Sequence, residues 1–249
     1  MKKLIAANWK MYKTRAEAET VARELVNSVR LPDDAEVAVF PPFTGLGAVA
    51  SAFAGRPGFA LGGQDVYPAL EGAFTGEISP AMLQDAGCSL VLCGHSERRH
   101  ILGESDEFVG RKAAFALEQG LAVVLCVGET LPQREAGELA SVLRRQLQTG
   151  LSAVPSGLSS NKIVIAYEPV WAIGTGKVAG SDEIEQAHAL VRKCLEEILP
   201  AAAGDIRILY GGSVKENNAG EITGLKNVNG LLVGGASLQA DTFRRIIEA

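Results

Sequence analysis

The chain has 249 residues, 47% hydrophobic and 21% charged, with a formal net charge of −5. That composition is ordinary for a globular protein, and the acidic balance argues against general nucleic-acid binding, although a small anion needs only a local positive site. The apolar run near the start is too short for a signal peptide, and no window approaches the ~18 apolar residues of a membrane span, so a cytoplasmic protein without membrane contact is expected. Cys88, Cys93, Cys126 and Cys194 form no Cys-x-x-Cys pair and read as reduced, structural thiols. His95, His100 and His188 lack metal-ligand spacing, so no metal is expected.

Eight short apolar runs alternate with longer amphipathic stretches. Run 4–7 ends at Asn8 and Lys10, and a helical pattern follows over 15–29, with apolar Ala18, Val21, Ala22, Leu25 and Val26. Run 37–40 precedes a helical stretch at 45–53, and run 59–62 precedes a long connection and another stretch at 79–86. Run 90–93 leads into Gly94-His95-Ser96-Glu97-Arg98-Arg99 and then a helix over 106–119, with Ser105 at its start. Run 122–127 leads to a helix over 135–151. Run 163–167 stops at Glu168, because Pro169 has no N–H to continue the pairing. A loop with two glycines follows, then a helix over 182–199 capped at Ser181. Run 206–210 is followed by Gly211-Gly212 and a stretch at 215–222. Run 231–233 is followed by Gly234-Gly235 and a helix over 240–247. Gly120 and Gly150 fit helix C-terminal positions.

Runs without polar alternation suit strands buried on both faces, hence a parallel sheet. Eight βα units in this length predict an α/β fold, a single-domain (β/α)8 barrel over residues 1–249 ringed by helices. The competitor is a doubly wound open sheet. That fold would usually carry a glycine-rich fingerprint where Asn8-Trp9-Lys10 stands.

In such a barrel the functional face is built from the loops after the strands. Asn8 and Lys10 are two apart, so strand alternation points them the same way and predicts an amide donor and an ammonium converging on one site. His95 stands just before a helix start, whose field disfavours extra positive charge and keeps the imidazole neutral. A neutral imidazole can still donate a hydrogen bond to a developing oxyanion. Glu168, at a strand end beside a mobile loop, suits a proton-transferring base. The glycine pairs after the seventh and eighth runs open the backbone to an anion, where barrels bind phosphate. Each feature has a plainer reading: a solvated lysine, a structural histidine, a surface glutamate, an ordinary turn. Together they predict a small phosphorylated substrate and proton abstraction beside a carbonyl, with no cofactor.

The motifs Asn8-Trp9-Lys10-Met11, Gly94-His95-Ser96-Glu97-Arg98-Arg99, the stretch 166–176 around Glu168, Tyr210-Gly211-Gly212-Ser213 and Val233-Gly234-Gly235-Ala236-Ser237-Leu238 carry a resemblance. The chain resembles the triosephosphate isomerase family from Leu4 to its last helix. That family is also a standard worked case of a glutamate base with a neutral histidine and a closing loop. The resemblance implies a TIM barrel and an enzyme that interconverts dihydroxyacetone phosphate and D-glyceraldehyde 3-phosphate, in glycolysis and gluconeogenesis, through an enediolate. It implies Glu168 as base, His95 as hydrogen-bond donor to the substrate oxygens, Lys10 as positive charge and Asn8 as a substrate contact. Gly174, Ser213, Gly234 and Gly235 match phosphate-binding positions, and Glu97 and Cys126 match supporting ones. Segment 169–179 matches a lid that Tyr210 and Ser213 bond when closed, with Glu129 and Trp171 among its alternating contacts.

The resemblance further implies a homodimer. Segment 64–79, with Tyr67, Phe74, Thr75 and Gly76, matches a loop that inserts into the partner. Asp65, Tyr12 and Val178 depart from the commoner family residues, none within the catalytic set. Two alternatives stay open: another phosphate-binding barrel enzyme, or a non-catalytic phosphate-binding barrel. An aldolase would need a Schiff-base lysine within a strand, and the apolar middles here carry none.

Overall fold

The computed structural model describes residues 1–154, 157, 159–173 and 177–249. In chain order come β1 (Lys3–Asn8), α1 (Arg15–Ser28), β2 (Ala35–Phe40), α2 (Leu46–Phe53), β3 (Phe59–Gly63), α3 (Pro80–Asp85), β4 (Leu90–Cys93), α4 (Ser96–His100) and α5 (Asp106–Glu118). There follow β5 (Ala122–Val127), α6 (Leu131–Glu135), α7 (Leu139–Gly150), β6 (Ile163–Tyr167), α8 (Ser181–Ile198), β7 (Arg207–Tyr210), α9 (Ala219–Gly224), β8 (Gly230–Val233) and α10 (Ala240–Ile247). The strands lie in sequence order in a closed barrel, and β8 returns to pair in parallel with β1. The predicted parallel barrel ringed by helices is what forms.

Burial on two faces accounts for the uninterrupted apolar runs. In β5, Val124 and Cys126 pack inside the barrel, whereas Val123, Leu125 and Val127 pack outward among the helices. Leu4, Ala6, Leu90, Leu92, Val164, Ala166, Leu209 and Leu232 continue the inner set. Strand side chains alternate, so the next inward positions above these layers fall at Asn8, Glu168, Gly211 and Gly234. The same parity that fills the barrel therefore sends one amide and one carboxylate into its mouth.

The elements differ from the sequence expectation in three places. The helix expected over 135–151 begins only at Leu139, after Gly137 turns at φ +74°, and an unexpected short helix, α6, precedes it, started by Thr130 with Gln133 folded back on its N–H at 2.9 Å. The stretch expected at 215–222 becomes helical only at Ala219. Asn218 first closes a side-chain turn, accepting the Lys215 N–H at 2.8 Å. The cap of α8 is Gly180, not Ser181, and Glu183 accepts its N–H at 2.9 Å. Gly120 turns at φ +88° after α5 as expected. Gly150 is the last residue of α7 for a different reason: a Cβ there would come within 2.7 Å of Leu125 Cδ2.

His188 on α8 is fully buried against the Tyr167 ring, 5.9 Å between centroids. Its Nδ1 lies 3.0 Å from the Asn227 carbonyl, so Nδ1 carries the proton and donates. Burial pushes its pKa down to about 4. An unfolded histidine titrates near 6.5, above the folded value, so unfolding takes up a proton between these limits. Stability therefore falls as pH drops through that window, by about 3 kcal/mol at its acid end. Urea unfolding of His188→Gln at fixed protein concentration, compared between about pH 7 and about pH 4, is expected to lose less stability than the parent. An equal loss in both proteins contradicts this.

Candidate active site

A cavity of about 300 Å³ opens at the C-terminal ends of the strands, lined by Asn8, Lys10, His95, Glu168, Ser213, Gly234 and Gly235 among others. The residues singled out by sequence thus meet at one mouth, from β1, β4, β6, β7 and β8. Gly174 lies outside the described residues.

Glu168 is 2% exposed. Its Oε1 lies 2.9 Å from His95 Nε2, and its Oε2 accepts the Ser96 N–H at 3.0 Å. The first N–H groups of a helix have no intrahelical acceptor, so α4 offers one to the carboxylate. Burial alone would raise the Glu168 pKa, yet His95, the Ser96 N–H and Lys10 outweigh it and hold the carboxyl below its usual range. Burial likewise lowers the His95 pKa, but the facing Glu168 carboxylate outweighs it and raises the value. At the other ring nitrogen, Nδ1 accepts the Glu97 N–H at 3.3 Å, which requires an unprotonated lone pair there. The ring therefore presents an Nε2–H to Glu168. Its raised affinity for a second proton depends on the carboxylate facing it and disappears once a neutral oxygen takes that place.

Lys10 does not simply continue the strand. It sits at φ +52°, a conformation costing a non-glycine residue about 1–2 kcal/mol. Three contacts hold it there. Asn8 Oδ1 accepts its N–H at 2.9 Å, Gln64 Nε2 donates to its carbonyl at 2.8 Å, and Glu97 pairs with Nζ at 2.6 Å. Gln64 also donates to the Phe40 carbonyl at 2.8 Å. Glu97 thus stands behind Lys10 rather than in the cavity lining, and Cys126 lies fully buried in the barrel interior below.

The two glycine pairs have different physical grounds. A Cβ at Gly211 would come within 3.0 Å of Glu168 Cγ, and one at Gly212 within 2.2 Å of Tyr210 Oη. The Gly211 N–H is engaged with the Tyr167 carbonyl at 2.8 Å. This pair is glycine because Glu168 and Tyr210 pack on it. At Gly235 a Cβ would meet nothing within 4 Å, so the second pair is the open one. It leads into one 3-10 turn, Gly235–Ser237, tied to β1 by the Trp9 indole donating to the Ser237 carbonyl at 3.1 Å.

Beside the mouth, the buried Glu129 carboxylate accepts Tyr167 Oη at 3.1 Å and the Trp171 indole N–H at 2.8 Å. Ser213 Oγ donates to the Ala172 carbonyl at 2.7 Å. The Tyr210 hydroxyl is buried without a hydrogen-bond partner among the described residues. Ser96 and Gln64 escaped the sequence reading. Ser96 was signalled only by being the first residue of a helix, and Gln64 by nothing local.

A family model described as triosephosphate isomerase matches residues 3–249. A protein of that name from Oleidesulfovibrio alaskensis is 64% identical over the full length of both chains. One from Nitratidesulfovibrio vulgaris is 61% identical, again over all of both chains. One from Chloroflexus aurantiacus is 50% identical, covering 98% of this chain and 97% of that protein.

Proposed function

Because the chain belongs to the triosephosphate isomerase family, we propose that it interconverts dihydroxyacetone phosphate and D-glyceraldehyde 3-phosphate by proton transfer. The observation that carries this reading is the buried Glu168 carboxylate, kept ionised beside a histidine N–H in a cavity with an open glycine loop. From the ketose, Glu168 takes a proton from C1. The C1–H electrons become the C1–C2 double bond of the enediolate, and the carbonyl electrons go to O2. The proton then goes to C2, and a hydroxyl proton moves from O1 to O2, leaving the aldose. No electrons enter or leave, so the chemistry calls for no cofactor.

His95 faces the two oxygens in this scheme and donates from Nε2. Lys10 supplies positive charge where the enediolate charge develops, and Asn8 contacts the substrate. Ser213, Gly234 and Gly235 are assigned to the phosphate, together with Gly174. Glu97 is assigned to support Lys10, and Cys126 to pack beneath Glu168. The carboxylate must exchange Ser96 and His95 for substrate before it can act. Segment 169–179 is assigned as the lid, held at Trp171 by Glu129 and at Ala172 by Ser213, with Tyr210 Oη awaiting a partner on closure. A coupled assay in both directions tests the activity; absence of turnover on either triose phosphate would sink the reading.

We further assign a homodimer, with segment 64–79 around Thr75 entering the partner. Its support is where most of the large exposed apolar side chains fall, Met1, Met82 and Val178 aside. Met11, Tyr12, Phe43, Leu70, Phe74, Ile101 and Leu102 all lie in the connections after β1 to β4. Sedimentation is expected to give twice the 26.2 kDa chain mass. A monomer at micromolar concentration contradicts the assignment. The same reading puts the chain in the cytoplasm; no described helix is long and apolar enough to cross a membrane.

A further inference from the structure

Arg99 lies outside the cavity lining, and its side chain is 5% exposed. Its guanidinium is engaged in three directions. Nε donates to the Gly94 carbonyl at 2.7 Å, Nη2 to the Cys126 carbonyl at 3.1 Å, and Nη1 to Asp106 Oδ1 at 2.5 Å. The first two acceptors are not arbitrary. Strands β4 and β5 pair in register from Leu90 with Ala122 to Cys93 with Leu125, where the ladder ends. One further rung would match Gly94 with Cys126, the same two residues whose carbonyls Arg99 bridges.

Gly94 makes room for this. It turns at φ +71°, and a Cβ there would come within 2.7 Å of Arg99 Nη2. The turn also redirects the chain, so that His95 lines the mouth although its parity along β4 is outward. On the other side, Cys126 is in register with Ala166, and the next β5 residue, Val127, accepts the Glu168 N–H at 2.7 Å. One planar cation therefore ties the peptide preceding His95 to the strand that fixes the backbone of Glu168.

We propose that Arg99 is a positioning residue for the proton-transfer pair, standing in for the missing β4–β5 rung and thereby fixing His95 relative to Glu168. The proposal rests on the isomerase reading of those two residues. The guanidinium fork matches three acceptors, which a lysine ammonium on a flexible stem does not reproduce. A displacement of about 1 Å in a reacting pair costs about 10²-fold in rate. The phosphate contacts assigned to Ser213, Gly234 and Gly235 sit across the mouth and are untouched.

Arg99→Lys is accordingly expected to lower kcat about 10²-fold with KM changed less than about threefold. The His95 ring-nitrogen resonances of the unliganded variant should move from their parent positions. Arg145→Gln is the control, because Arg145 Nε also binds Asp106, at 2.9 Å, without touching either strand carbonyl. It should weaken the start of α5 and leave kcat and the His95 resonances as in the parent. Arg99→Met, which removes every donor, is expected to lower kcat at least as far; if it fails to fold, Arg99→Lys decides the matter. Parent-like kcat and resonances in folded Arg99→Lys overturn the proposal. So does a kcat loss shared by Arg145→Gln in step with its lowered Tm. Should the parent itself lack isomerase activity, the fault lies with the isomerase reading, and the His95 resonances still report on positioning.

Discussion

Glu168→Gln is expected to lower kcat by about 10²–10⁴-fold while KM stays within a few-fold. The substitution is close to isosteric. The amide oxygen can still accept the Ser96 N–H, now 3.0 Å from Oε2, and Gly211 still packs on the side-chain stem. What disappears is the basic lone pair, the negative charge and the acceptor for His95, because the amide nitrogen then stands at the Oε1 position, 2.9 Å from Nε2. Folding should survive, because the amide keeps the size of the carboxylate and buries no charge, at the cost of the favourable contacts that the charge makes with His95, the Ser96 N–H and Lys10. His95 should respond as well. Burial lowers its pKa, and the main influence that overrides burial is the Glu168 charge. In the variant its titration should therefore move to lower pH, visible in the imidazole resonances. Steady-state rates in both directions provide the measurement, and activity within tenfold of the parent contradicts Glu168 as the base.

His95→Gln is expected to lower kcat by about 10²–10³-fold, the usual cost of removing one preorganised oxyanion donor. The change acts on two neighbours. The Glu97 N–H loses its acceptor at Nδ1, and Glu168 loses its closest partner at 2.9 Å. Burial raises the Glu168 pKa, and His95 is the foremost of the groups that bring it down. Without the imidazole the carboxyl should titrate higher. The base works only when ionised, so the acid limb of the kcat/KM profile should shift to higher pH. A profile superposable on that of the parent, scaled only in height, would falsify the coupling between the two side chains.

Much of this arrangement could be read from the chain because the barrel imposes a simple rule. Eight uninterrupted apolar runs announced strands buried on two faces, and parity along those runs carries Asn8 and Glu168 inward. The rule fails where the backbone leaves the strand. Lys10 at φ +52° and Gly94 at φ +71° turn the chain by amounts that alternation does not encode, and both decide where a functional side chain ends up. The first glycine pair illustrates a related ambiguity. Gly211-Gly212 suggests an anion cradle; both line the cavity, and close packing on Glu168 and Tyr210 is a further reason for glycine there. Ser96, Gln64 and Arg99 each act through a partner 72, 54 and 27 positions away, which local spacing does not reveal.

The most direct measurement of the central claim is proton NMR of dihydroxyacetone phosphate converted by the protein in D₂O. A carboxylate base that takes a proton from C1 and returns one to C2 shares it with solvent whenever the intermediate outlives exchange. The expected result is conversion to D-glyceraldehyde 3-phosphate with deuterium appearing at C2, and loss of both conversion and label in Glu168→Gln. Undiminished conversion or labelling in Glu168→Gln would contradict proton transfer through this residue.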